Sequence, residues 1–347
     1  MNGALFLLLS GCLGFAQTEG DFIARDFVFH SGEKMAELRL HYTTLGTPQR
    51  DALGRVRNAV MIMHGTGGTG SAFLGANFGG ELFGDGQPLD QSKYFIILPD
   101  AIGHGKSSKP SDGLRMKFPQ YNYEDMVRAD YRLLTEGIKI DHLRLVMGTS
   151  MGAMHSWVWG YLYPGFMDAL MPLASAPVEI AGRNRMFRAM IMQAIKNDPA
   201  WNNGEYTKPP ADGLVAAHYA LWMMTSSPIQ LHKTNPAHGQ SDKAVEELRA
   251  RALRADSNDM LYQYNSSTDY NPSPHLAKIT APLFAVNSAD DEVNPPELSI
   301  MEREIVKVAK GRYILLPTSE ETRGHGTHSR AVVWKDYLIE LLKISAR

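Results

Sequence analysis

Residues 145–157 read LVMGTSMGAMHSW, and the reading of this stretch decides the fold. An apolar run of strand character leads into Gly148, Ser150 and Gly152, and an apolar run of helical character follows. A strand, then G-x-S-x-G, then a helix makes a sharp turn that lifts the serine hydroxyl off the end of a sheet. The flanking glycines are needed where backbone approaches too closely for side chains. The helix N-terminus behind Ser150 favours negative charge in front of it. The five-residue pattern alone is weak; its surroundings give it weight.

Working outward, short apolar runs recur at 59–64 (AVMIMH), 94–99 (YFIILP), 143–148, 169–174 (ALMPLA), 282–287 (PLFAVN) and 312–317 (RYILLP). Runs that are apolar at every position suit strands buried on both faces of a parallel sheet. Helical patterns lie between them, at 123–137, 151–163, 296–309 and 328–344. This alternation predicts an α/β fold with a mostly parallel, doubly wound sheet. Stretches near 24–30 and 36–45 read as antiparallel edge strands. The rhythm breaks over 177–272, where helical pieces near 183–197, 212–225 and 241–255 read as a helical lid inserted into a core of 17–176 and 273–347. Its apolar residues Met186, Met190, Met192, Trp222, Met223 and Met224 read mainly as helix core, some of them walling an apolar pocket.

A nucleophilic serine needs a base, and the base needs an orienting acid. In this architecture both follow late strands, at the carboxyl ends where open α/β sheets place their sites. After PLFAVN comes SADDEVNPPE, and after RYILLP comes TSEETRGHGTHS. Asp290 and Asp291 are both candidates; spacing to Pro295 favours Asp291 and leaves Asp290 as a turn residue. His325, after Gly324 in a flexible loop, is favoured as base over His328, which reads as opening the last helix. A metal held by this histidine pair lacks a third ligand, so no metal is expected. An oxyanion needs two backbone donors: Met151, directly after the serine, and Thr66, in the HGTGGTG loop after AVMIM. That loop also contains G-x-G-x-x-G, but the glycine-rich continuation offers no helix to cap a phosphate. His64 and His104 read as structural, and no cofactor is expected.

Of the 347 residues, 44% are hydrophobic and 21% charged, with a net charge of −2. The near-neutral balance argues against nucleic-acid binding, and no apolar run reaches the length of a membrane span. Residues 1–16, MNGALFLLLSGCLGFA, read as a signal peptide cleaved after Ala16, which would make the mature protein periplasmic or secreted. The LSGC segment offers a lipoprotein alternative, with a lipid anchor at Cys12. Cys12 is the single cysteine, so a disulfide is not expected.

Together these residues resemble the α/β-hydrolase superfamily and, within it, the homoserine O-acetyltransferase family and its hydrolase-like relatives. The carriers are HYTTLGT (41–47), FPQYNYEDMVRADYRLL (118–134), GTSMGAMHSWVWGYLYP (148–164), AIKNDPAWNNGEY (194–206) and DDEVNPPE (290–297). The resemblance implies that Ser150, Asp291 and His325 form a triad, and it suggests a homodimer formed through the lid. Four features depart from the acetyltransferases: Ala153 in place of a second glycine, GHGTH at the histidine, HGTGG at the oxyanion loop, and YQYNSSTDYNPSP before the acid strand. With the leader, which places the chain away from acyl-CoA, they favour a serine hydrolase acting on a small-molecule ester, less readily an amide, over an acyl-CoA-dependent acyltransferase.

Overall fold

The six apolar runs are strands of one sheet in the computed structural model, which describes residues 17–346. The strands are β1 (Gln17–Val28), β2 (Lys34–Leu45), β3 (Ala59–Met63), β4 (Phe95–Pro99), β5 (Leu145–Thr149), β6 (Leu170–Leu173), β7 (Leu283–Ser288) and β8 (Gly311–Leu316). Their order is β1-β2-β4-β3-β5-β6-β7-β8. β1 and β2 pair antiparallel, β2 joins β4 antiparallel, and every later pairing is parallel. The sheet is mostly parallel and α/β, as the alternation predicts. Of the two expected edge strands only β1 is one; β2 is paired on both sides, by β1 and β4. Both are longer than the sequence suggests, at 12 residues each, and β1 is mostly exposed and carries little apolar signal.

Burial on both faces explains the unbroken apolar runs. In β3, Met61 and Met63 face one core layer while Val60 and Ile62 face the other. The first layer holds the helices Tyr123–Arg132 and Met151–Leu162, with Trp157 and Trp159 fully buried. The second holds the helix Ala331–Ile344, packed through Trp334, Leu338 and Leu341 beside Phe73 and Phe78. Such close-packed layers fix the strand ends, and therefore the site, within narrow limits.

Between β6 and β7 the chain forms the helices Gly182–Asn197, Ala211–Thr225, Pro228–Thr234, His238–Ala252 and Ser257–Asn265. They share a separate core of Phe187, Ile191, Ile195, Trp201, Leu214 and Tyr264, which reaches Val293 on the loop after β7. The helix Ser257–Asn265 escapes a periodicity reading because its residues are polar and aromatic in mixture. Its signal is Asp256, whose side chain caps the amides of Asn258 and Asp259. The stretch 296–309 is not one helix. A short turn at Pro296–Leu298 is separated from Ile300–Ile305 by Ser299, which adopts a left-handed φ of 47°. The last helix starts at Ala331, so His328 does not open it and lies instead in a one-turn helix, Gly326–Ser329.

Candidate active site

Ser150 sits where β5 hands over to the helix Met151–Leu162, at φ 53° and ψ −111°. A non-glycine residue held there stores strain, which persists only where the surroundings over-determine it. They do so here. A Cβ on Gly152 would lie 2.0 Å from the Met63 carbonyl oxygen, and one on Gly148 would lie 2.3 Å from the Gly152 backbone. The turn is pinned by the Ser150 amide donating to Leu173 O at 2.9 Å and the Gly152 amide donating to His64 O at 3.0 Å.

His325 comes to this serine from the loop after β8. Its Nε2 lies 2.8 Å from Ser150 Oγ, and its Nδ1 lies 2.9 Å and 3.1 Å from the two oxygens of Asp291. Asp291 is held in turn by the amides of Val293 (2.8 Å) and Asn294 (3.3 Å) and by Asn294 Nδ2 (3.0 Å). Burial pushes the Asp291 carboxyl up, but the charge and hydrogen bond of His325, with the Asn294 and Val293 donors, outweigh it and hold the group below the usual carboxylate range. An acid that stays ionised beside Nδ1 fixes the ring tautomer, with Nδ1 donating and Nε2 free to accept.

The two sequence alternatives are placed elsewhere. Asp290 ties loops together. Its Oδ2 accepts from the Gly324 amide at 2.9 Å and the Thr322 hydroxyl at 3.0 Å, and its Oδ1 accepts from Ser288 Oγ. It sits in the turn after β7, as the sequence reading has it, and from there tethers the histidine loop. His328 packs edge-on against His325, with ring centroids 5.4 Å apart. Burial, together with the charge His325 carries when protonated, pushes it down to about 3, so it stays a neutral ring.

Thr66 lines the same cavity as Ser150, and Met151 is the first residue of its helix, where no intrahelical acceptor exists for the amide. Gly65 lies against the serine; a Cβ there would meet Ser150 Cβ at 3.3 Å. The loop is braced from beneath. Asp100 accepts from the Gly70 amide and the Lys106 amide, each at 2.8 Å. His64 Nδ1 donates to Gly65 O, leaving Nε2 to accept from the Ala101 amide. Burial pushes His64, His104 and His155 down, so these three rings are neutral.

The cavity in front of Ser150 measures about 540 Å³, and the lid contributes Phe187, Arg188, Leu221, Thr225 and Tyr264 to it. Of the lid methionines, Met186, Met190 and Met223 face solvent and do not wall this pocket. Arg188 has no sequence signature: among Arg183, Arg185 and Arg188 at the head of a helix, only packing shows which one turns inward. Among the described residues, no group of three or more His, Cys, Asp or Glu side chains is placed to hold a metal ion. Nor is any described helix long and apolar enough to cross a membrane. Residues 1–16, including Cys12, lie outside the described residues.

A strained serine between a parallel strand and a helix, meeting a histidine and a carboxylate from later strand ends, defines an α/β-hydrolase. The family model for the alpha/beta hydrolase fold matches residues 58–317, and the chain belongs to that family of enzymes. Within it the chain is a relative of the homoserine O-acetyltransferases. That of Geotalea daltonii is 32% identical over 337 residues, covering 86% of this chain and 90% of the relative. That of Methanohalophilus mahii is 27% identical, over 85% of this chain and 65% of the longer relative. Among solved structures, an acetylester hydrolase from Corynebacterium glutamicum superposes with a TM-score of 0.82 at 22% identity, covering 94% of this chain and 96% of that one. A homoserine O-acetyltransferase from Bacillus anthracis gives 0.81 at 20% identity, covering 94% and 97%. At such identities the structural likeness speaks for the fold.

Proposed function

We propose that the chain is a serine hydrolase that cleaves an ester through an acyl-enzyme on Ser150, with His325 as base and Asp291 as its orienting acid. The observation that carries this reading is the continuous relay from Ser150 Oγ to His325 Nε2 at 2.8 Å and from His325 Nδ1 to Asp291 at 2.9 Å. Ser150 Oγ attacks the ester carbonyl carbon while its proton passes to Nε2. The carbonyl oxygen, now an anion, is met by the amides of Thr66 and Met151. The C–O bond to the alcohol breaks as Nε2 returns the proton to the leaving oxygen. Water then repeats the sequence, losing its proton to Nε2, attacking the acyl carbon and expelling Ser150 Oγ. Asp291 remains ionised throughout, in keeping with its lowered pKa.

A second reading, transfer of the acyl group from an acyl-CoA to a small alcohol such as homoserine, is favoured by the names of the sequence relatives. The first half-reaction is common to both readings. The signal peptide read at 1–16 would tip the choice to water, because it would carry the mature chain to a compartment without acyl-CoA. The test is labelling by a fluorophosphonate together with short-chain ester hydrolysis, each in native protein and in Ser150→Ala. Labelling that survives Ser150→Ala refutes the nucleophile. Release of free CoA from acetyl-CoA only when homoserine is present would turn the assignment to transfer.

A further inference from the structure

Arg188 is a buried cation without a protein anion. It is 3% exposed, on the helix Gly182–Asn197, and it lines the cavity that holds Ser150 and His325. Its Nε donates to Asn184 Oδ1 at 3.0 Å and its Nη1 to Ser267 Oγ at 3.3 Å, both neutral acceptors. Among the described residues no carboxylate lies within ion-pair distance of it. The guanidinium carbon stands 5.6 Å from the centre of the Phe187 ring and 5.7 Å from that of Tyr264. The aromatic faces offset part of the burial cost, but they hold the fork in place without neutralising it.

Two further polar groups are left over at the same spot. The hydroxyls of Thr66 and Tyr123 are both buried and, among the described residues, make no well-formed hydrogen bond; the Tyr123 hydroxyl approaches only Thr66 and the Arg188 guanidinium. Tyr123 neighbours both the Arg188 guanidinium and Thr66, and burial pushes its hydroxyl up against the opposing influence of that guanidinium. It therefore stays a protonated donor. Buried polar groups in folded proteins are nearly always paired, and buried charges almost without exception. A guanidinium with only neutral partners, set with two hydroxyls beside the candidate nucleophile, has the composition of a carboxylate site: planar fork, fixed orientation, no competing anion.

We propose that Arg188, with the Thr66 hydroxyl beside it and Tyr123 behind them, binds a carboxylate carried by the substrate, so that the ester cleaved at Ser150 is an anionic one. The inference rests on the serine-enzyme reading for its location but not for its binding test. The carboxylate belongs either to the acyl half, as in a dicarboxylic half-ester, or to the alcohol half, as in an acylated hydroxy acid; the assay separates them.

Initial rates are measured on two pairs of esters that differ only in charge: monoethyl adipate against ethyl hexanoate, and 4-acetoxybutanoate against butyl acetate. A charge-assisted contact of this kind predicts that the anionic member of one pair has a kcat/KM about 10- to 100-fold higher. Arg188→Gln is expected to erase that ratio and Arg188→Lys to retain part of it. Equal rates within both pairs in the native enzyme overturn the proposal, as does a ratio that survives in folded Arg188→Gln. Should Arg188→Gln not fold, the native ratio and its decline in Arg188→Lys still decide. In parallel, adipate and 4-hydroxybutanoate are titrated calorimetrically into Ser150→Ala. Binding of either that weakens at least about tenfold when Arg188→Gln is added supports the anion site even where no ester is turned over. Absence of binding by both overturns it. Failure of fluorophosphonate to label Ser150 counts against the serine-enzyme reading alone.

Discussion

Asp290→Ala should slow the enzyme without touching any atom of the Ser150–His325–Asp291 relay. Asp290 accepts from the Gly324 amide at 2.9 Å, the Thr322 hydroxyl at 3.0 Å and the Ser288 hydroxyl. Gly324, at φ +60° and packed against the Ser226 carbonyl, immediately precedes His325. Hydrogen bonds to a charged acceptor contribute about 1.5–3 kcal/mol each. All three are partly buried and water replaces some of what is lost, so about 3 kcal/mol in total is a fair figure for removing them. If half of it bears on closure of the histidine loop, kcat falls about 10-fold; if all of it does, about 150-fold. Asp290→Asn supplies the control. Its carbonyl oxygen can serve Gly324 and Thr322 while its amide donates to Ser288 Oγ, so only charge assistance is lost and kcat should drop less than about fivefold. The assay is short-chain ester hydrolysis with thermal melts on the same samples. Asp290→Ala within twofold of native kcat would refute the tether. Asp290→Asn as damaging as Asp290→Ala would also refute it, showing that the charge near His325 matters rather than the bonds.

Three other outcomes are expected. His325→Ala should lose at least about 1,000-fold in kcat, whereas His328→Ala, which removes a neutral packed ring, should lose less than about 10-fold and lower the melting temperature; the reverse order would exchange their roles. Gly152→Ala should cost more than about 4 kcal/mol or fail to fold, since its Cβ would stand 2.0 Å from the Met63 carbonyl and both partners are backbone; a native-like melt would refute the close approach. Burial alone pushes Asp130 up to about 8. A folded pKa above the unfolded value means stability present at low pH and lost as pH rises from about 4 to about 8. Asp130→Asn should therefore match the native protein near pH 4 and exceed it by on the order of a few kcal/mol near pH 8.5; melts at the two pH values that shift in parallel would refute this.

The parts of the molecule legible in sequence are those where local chemistry and global packing agree. Strands covered on both faces, such as Ala59–Met63 and Leu145–Thr149, must be apolar throughout, and a turn as tight as that at Ser150 must carry glycine at 148 and 152. Asp290 and Asp291 are harder. Both follow β7, both are acids, and adjacent side chains leave a backbone in opposed directions; only the position of the loop after β8 decides which meets His325 and which meets Gly324. The lid was the least legible. Met186 and Met190 read as helix core or pocket wall yet face solvent, while Arg188, a charged residue three in from Arg185, is buried. Which face of such a helix turns inward is set by what it packs on, here Val293 and the helix Ala211–Thr225, and not by its own periodicity.

The reacting groups are fixed by strand ends and by bonds between core loops: Leu173 O to Ser150, His64 O to Gly152, Asp100 to Gly70, Asp290 to Gly324. None of these four comes from the lid, which touches the acid and histidine loops only beside the relay, through Asn184 on the Val293 carbonyl and Gln230 on the Glu320 carbonyl. The lid instead supplies Phe187, Arg188, Leu221, Thr225 and Tyr264, which shape and charge the cavity. Substitutions at these lining positions are expected to change the substrate admitted, or to admit an alcohol in place of water, with less effect on the proposed relay at Ser150. Acetylester hydrolases and homoserine O-acetyltransferases can therefore share one core, and the reaction of a given chain has to be read from the inward face of its lid, where Arg188 stands.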